Sequence, residues 1–344
     1  MSLDLAGWTL FAATIVVAVL RATTPILFAA LGGLVSDLAG SINVALEGLM
    51  LIAAFFGVMG AVYAAQWWPG LPGWACAWLG CAAGLAAVLL VTAMLGFFHL
   101  ELGADLIVAG IAVNLLAAGL TVFLLVTLVG DKGSTAGLSS PALPSLHIPG
   151  LDGLPALDML VNGEGGHGHH VLVYTAFLAV AAVWIFLSRT RYGAWLRAVG
   201  ENPQAALGAG IPVKRVRYVA LLTSGLLAGL GGIYLSMGYL TLFQADMTAG
   251  RGFLALAAVF LGARRPLGTL AAALLFGASA VLATQLGALA LPTQVVYMVP
   301  PFVTLCALVF AGRHKPARAG TDTNTDTKNT GRKGPPLSSE RLPA

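Results

Sequence analysis

Long apolar runs separated by short polar segments dominate the chain. Ten runs are read, at about 5–20, 24–36, 44–65, 75–97, 105–129, 171–188, 218–238, 247–262, 267–288 and 294–311. About 20 apolar residues span the hydrocarbon core of a bilayer. Three runs (5–20, 24–36 and 247–262) are short for that. They read as tilted, broken or re-entrant helices, or as parts of longer helices divided in the reading. Broken helices in membranes line cavities, because their free backbone groups need protein or water partners. The pattern predicts an all-α polytopic membrane protein with about ten spans, eight at the least.

The distribution of charge sharpens this. No Asp, Glu, Lys or Arg lies between Glu47 and Glu101, Asp105 and Asp131, Arg217 and Asp246, or Arg265 and Arg313. Of the 344 residues 58% are hydrophobic and 9% charged, with mean hydropathy +0.88. Soluble domains carry about 25% charged residues. An ordinary soluble enzyme, a disordered protein and a nucleic-acid-binding domain are excluded. The net charge of +4 does not revive the last, because the basic residues cluster beside apolar spans. Basic clusters of that kind mark cytoplasmic loops.

The loop 189–217 holds Arg189, Arg191, Arg197, Lys214, Arg215 and Arg217 against Glu201. The loop 130–170 holds Lys132 against Asp131, Asp152, Asp158 and Glu164. The first is therefore expected inside and the second outside. Arg264, Arg265 and the tail with Arg313, Lys315 and Arg318 also fall inside if 247–262 crosses. Ten spans with both termini cytoplasmic satisfy every cluster. Asp4 and the absence of a basic residue before the first run predict an uncleaved first helix. The domain division is a permease domain over 1–312 and a disordered polar tail over 313–344.

Cys76, Cys81 and Cys306 lie in apolar stretches without a CxxC pair and read as small hydrophobes. His167, His169 and His170 sit in a Gly-rich external loop. A metal site is one reading of that cluster. A flexible polar loop is the favoured one, and no metal is expected.

Few polar residues enter the spans. Asn43 and Glu47 share a helical face at four-residue spacing. A carboxylate there faces a translocation path or caps a helix near the surface. Asn114 reads as an interhelical hydrogen bond or a path residue. Arg251, in TAGRGF, reads as a snorkelling or packing residue, or as one meeting solute at a pore mouth. Gly225 and Gly229 permit close helix packing. In the inner loop, Asn202 before Pro203 predicts a helix start, with a short helix to about Gly208. That helix is either a docking surface or part of a solvated loop. GxSxG, HExxH and GxxxxGK[ST] are absent, so the chain is not read as an enzyme and carries no ATPase of its own.

Four blocks carry a family resemblance. They are SDLAGSINVALEGLMLIAAFFG (36–57), ADLIVAGIAVNLLAAGLT (104–121), LRAVGENPQAALGAGIPV running into TSGLLAGLGG (196–232), and MTAGRGFLALAAVFLGARRPLGTLAAALLFG (247–277). Together they resemble the membrane permeases of bacterial ABC importers, in the branch serving branched-chain amino acids, ribose-type sugars and nucleosides. The nucleoside permeases are the most similar. The resemblance implies a type II-like importer fold in the cell membrane. It implies a separate ATPase that binds the ATP, a second and different permease chain, and an external substrate-binding protein. It makes the segment with Arg197, Gly200, Glu201, Asn202, Pro203, Ala205, Ala206 and Gly208 the ATPase-coupling element. It makes Asn43, Glu47, Asn114 and Arg251 the path residues. Leu38 departs from the family pattern, which has a basic residue near that position. The alternative functions are import of a sugar or branched-chain amino acid, or ion-coupled secondary transport centred on Glu47.

Overall fold

The computed structural model describes residues 5–131, 133–149, 155–163 and 168–287, with isolated positions between 302 and 309. The helices are α1 (Leu5–Leu38), α2 (Leu46–Trp67), α3 (Gly73–Leu100), α4 (Leu106–Val129), α5 (Pro155–Asn162), α6 (Val171–Arg189), α7 (Arg191–Glu201), α8 (Pro203–Gly208), α9 (Val213–Ile233), α10 (Arg251–Leu261) and α11 (Pro266–Gly287). A π-helical turn over Tyr234–Tyr239 extends α9. Among the described residues, seven helices are long and apolar enough to cross a membrane, and α10 is a shorter apolar helix. Apart from those isolated positions, the run 294–311 lies outside the described residues, as do the tail 313–344 and His167.

The runs 5–20 and 24–36 are one helix, α1, of 34 residues. Arg21, Ala22 and Thr23 lie between the two runs, and the helix continues through them. Those residues face the interior of the bundle. Thr23 and Thr24 are buried, and the Thr24 hydroxyl donates to Leu20 O at 2.8 Å. Merging the two runs removes one crossing from the expected ten.

Helices α1, α2 and α9 form the centre and pack on one another directly or through α10 and α3. The apolar window of α2 is 78% buried, against 22% for α4. Helix α4 turns Ile107, Val108, Ile111, Leu115 and Phe123 outward, as a lipid-facing helix does. Apolar lipid gives these helices no hydrophobic reason to associate, so close van der Waals packing must hold them. The predicted Gly225/Gly229 stripe serves this. A side chain at Gly225 would strike Thr92, and one at Gly229 would press on Leu85 and Val88 of α3.

Between α4 and α6, the described residues 133–149, 155–163 and 168–170 form a cap. Strands β1 (Ser145–Leu146) and β2 (His169–His170) pair antiparallel. Asn162 accepts from Ile148 N at 2.8 Å and donates back to Ile148 O at 3.0 Å. Thr135 N donates to Phe243 O, and Phe243 N to the Thr135 hydroxyl. His169 is buried, with Nε2 bonded to Leu160 O at 3.1 Å. Burial lowers the pKa of both His169 and His170, the latter to about 4. No group of three metal-binding side chains occurs among the described residues.

Candidate functional site: a capped helix pair and a cavity in the bundle

The basic segments converge on one end of the bundle. Gly200 packs so closely on Leu38 O that no side chain fits there, and Gly40 lies against Gly200 and Arg217. Lys214 meets Glu101 at 2.9 Å. Asp37, near the end of α1, is buried and pairs with Arg264 at 2.8 Å.

At this end α7 and α8 form a bent pair. Asn202 leaves helical geometry, and its side-chain oxygen accepts from Gln204 N and Ala205 N. Pro203 takes the first turn, where its missing N–H costs nothing. The predicted short helix is therefore present and starts where expected, with Asn202 as its cap. It exposes Gln204, Ala205, Leu207 and Gly208 and buries Ala206. Glu201 is the exposed last residue of α7, and Arg197 is exposed on the same helix. Through Gly200, a displacement of α7–α8 would press directly on the end of α1.

Of the predicted path residues, two are held by backbone. Asn43 is buried, donates to the Ser224 hydroxyl at 3.0 Å and accepts from Ala45 N. Asn114 accepts from Gly48 N at 2.8 Å and donates to Val44 O at 3.0 Å. They staple the irregular chain 39–45, which enters the bundle between α1 and α2, to α9 and α4.

Glu47 joins the start of α2 to the start of the short helix α10. It lies in the first turn of α2 and accepts from Gly250 N at 2.7 Å and Gly252 N at 2.6 Å. Those N–H groups open α10, where Gly250 takes φ +80°. The carboxylate thus satisfies donors that would otherwise be unpaired, at the positive end of a helix dipole. Gly252 leaves no room for a Cβ against Glu47.

Arg251 points elsewhere. Its guanidinium donates to Met247 O and Thr248 O and lines a cavity of about 150 Å³ with Arg21, Tyr234, Tyr239, Thr284 and Gln285. A second cavity of about 280 Å³ shares Arg21, Tyr234 and Tyr239 and adds Ser145 and His170 from the cap. The two cavities together present two guanidinium groups, two phenols and an amide. Arg21, Tyr234, Tyr239 and Gln285 were missed in the sequence. The two tyrosines flank a π-helical turn, which widens the backbone and is frequent at functional sites.

The chain matches the family described as "Branched-chain amino acid transport system / permease component" over residues 15–308. It is 36% identical over 309 residues to the guanosine ABC transporter permease protein NupQ of Bacillus subtilis, covering 87% of this chain and 92% of that one. It is 33% identical to the putative glucose ABC transporter permease protein TsgC13 of Haloferax volcanii, covering 78% and 76%. It is also 33% identical to the nucleoside ABC transporter permease protein NupC of Lactococcus lactis, covering 85% and 90%. No solved structure matches significantly. With the family spanning nearly all of the membrane region, the chain belongs to it and is a multi-pass permease component of an ABC transporter.

Proposed function

We propose that the chain imports nucleosides. Solute arrives on an external binding protein, and a separate ATPase binds and hydrolyses ATP. The basic end faces the cytoplasm and the cap faces outside. A second, different permease chain completes the path in the bacterial inner membrane. The permease supplies two conformations of similar energy, and its ligands bias them.

The observation that carries this reading is the α7–α8 pair. It is a short helix with an exposed Leu207 and a capped start, seated by Gly200 on α1. Such an element suits transmission of an ATPase movement into the membrane helices. The cavity chemistry agrees with the solute class. Tyrosine rings offer faces for a planar base, and arginine and glutamine offer donors to its carbonyl and ring acceptors. Nucleoside-named relatives at 33–36% identity support the same class. In the same reading Arg251 and Glu47 act on the path together, Glu47 by fixing the start of α10.

The test is mild-detergent co-purification of the tagged chain beside Ala205→Arg/Leu207→Asp. Both positions are exposed, whereas arginine at the buried Ala206 would disrupt packing. The expected result is a Walker-motif ATPase with the parent chain and its loss in the variant. A parent chain that carries no ATPase while its other partners persist would overturn the reading.

A further inference from the structure

A cavity of about 500 Å³ opens at the basic end between α6, α7 and the α10–α11 turn. It has two unlike walls. One is apolar, with Trp184, Leu187 and Leu267, and Trp184 and Leu267 are 45% and 63% exposed. The other carries Arg197, Arg264 and Arg265. Arg264 is committed to Asp37 at 2.8 Å, with its guanidinium 5.9 Å from the Phe260 ring. Its backbone and that of Ala263 take φ of +58° and +53°, so the turn is fixed in an unusual shape. Among the described residues Arg197 and Arg265 have no ion-pair partner, and both are exposed. The pocket thus holds two uncompensated positive charges beside an apolar flank, at the ends of spans α6 and α11.

We infer that this pocket holds one acidic phospholipid, its phosphate between Arg197 and Arg265 and its acyl chains along Trp184 and Leu267. Guanidinium groups recognise phosphate through paired donors. Basic pockets between spans on the cytoplasmic side suit acidic headgroups. A tryptophan at the membrane interface is the ordinary neighbour of such a headgroup. A free anion would have no use for the apolar wall, whereas a phospholipid uses both. Bound there, the lipid ties α7, which precedes the coupling helix, to the α10–α11 turn. The inference rests on the chain crossing the bilayer and not on the solute or the ATPase.

Native mass spectrometry of the delipidated full chain tests this, with phosphatidylglycerol, phosphatidylcholine and inorganic phosphate as probes. One phosphatidylglycerol per chain is expected, with phosphatidylcholine at least about 10-fold weaker. Arg197→Ala/Arg265→Ala weakens phosphatidylglycerol binding about 30-fold, from about 1 kcal/mol per arginine. Arg189→Ala/Arg191→Ala removes the same charge outside the cavity and leaves binding within about threefold. If the first variant fails to fold, Leu267→Glu at an exposed position replaces it, with the same loss expected. Equal binding of the two lipids, equal loss in the two arginine pairs, or displacement of the lipid by equimolar phosphate would overturn the proposal. The last outcome would identify a free-anion site instead.

Discussion

Replacing Glu47 tests whether it ties the start of α10 to the start of α2. Its oxygens accept from Gly250 N and Gly252 N at 2.7 and 2.6 Å. Hydrogen bonds to a charged group contribute about 1.5–3 kcal/mol each. Glu47→Ala leaves both donors unpaired and is expected to cost about 3–6 kcal/mol, while Glu47→Gln keeps one acceptor and costs about half that. Gly252→Ala should destabilise too, because its Cβ meets the Glu47 backbone. Thermal unfolding in detergent can be followed with a thiol-reactive dye, since Cys76 and Cys81 are buried until α3 loosens. The expected order of midpoints is parent, Glu47→Gln, Glu47→Ala. Unchanged unfolding in Glu47→Ala would refute the capping account and leave only a role toward solute.

Three further predictions follow from the same geometry. Removing Arg264 strands the buried Asp37 carboxylate, so Arg264→Ala costs about 3–5 kcal/mol, and adding Asp37→Asn restores part of that. Strict additivity in the unfolding midpoints would contradict the pair. Burial holds His170 at about 4, against an ordinary 6.5. The unfolded chain therefore binds more protons between those values, and stability is complete above about 6.5 and falls by about 3 kcal/mol as pH drops to 4. His170→Gln should flatten an unfolding-versus-pH profile in that window, and an unchanged slope would remove the histidine from the account. Gly200→Val forces α7 away from Leu38 O, and it should leave ATPase binding intact while lowering solute-stimulated ATP hydrolysis. Normal stimulation would exclude this contact as the route of coupling.

Much of the membrane architecture could be read in the chain, because a bilayer demands long uncharged runs and leaves little else to satisfy. The Asn202 cap and the glycine stripe were equally legible, since each depends on residues a few positions apart. Arg21 lies between the runs 5–20 and 24–36. A charge inside an apolar run marks a break only if the helix faces lipid on all sides, and α1 turns this residue toward a cavity. Its neighbours there, Tyr234, Tyr239 and Gln285, come from the π turn and α11. No local pattern joins them. Glu47 was recognised as a residue needing a partner, but the partners are backbone N–H groups more than 200 positions away, which carry no sequence signal beyond two glycines. The histidine loop was read from composition alone. Among the described residues, Asn162 and Thr135 bond to backbone across the cap and His169 and His170 pair in β2.

ATP-driven solute uptake by the reconstituted complex tests the central claim most directly. Proteoliposomes holding this chain with the proposed second permease and ATPase would be supplied with the proposed binding protein and labelled guanosine. The account predicts uptake that requires ATP, persists when an ionophore collapses the proton gradient, and falls with Tyr234→Ala. Uptake that proceeds without ATP and stops with the ionophore would contradict it.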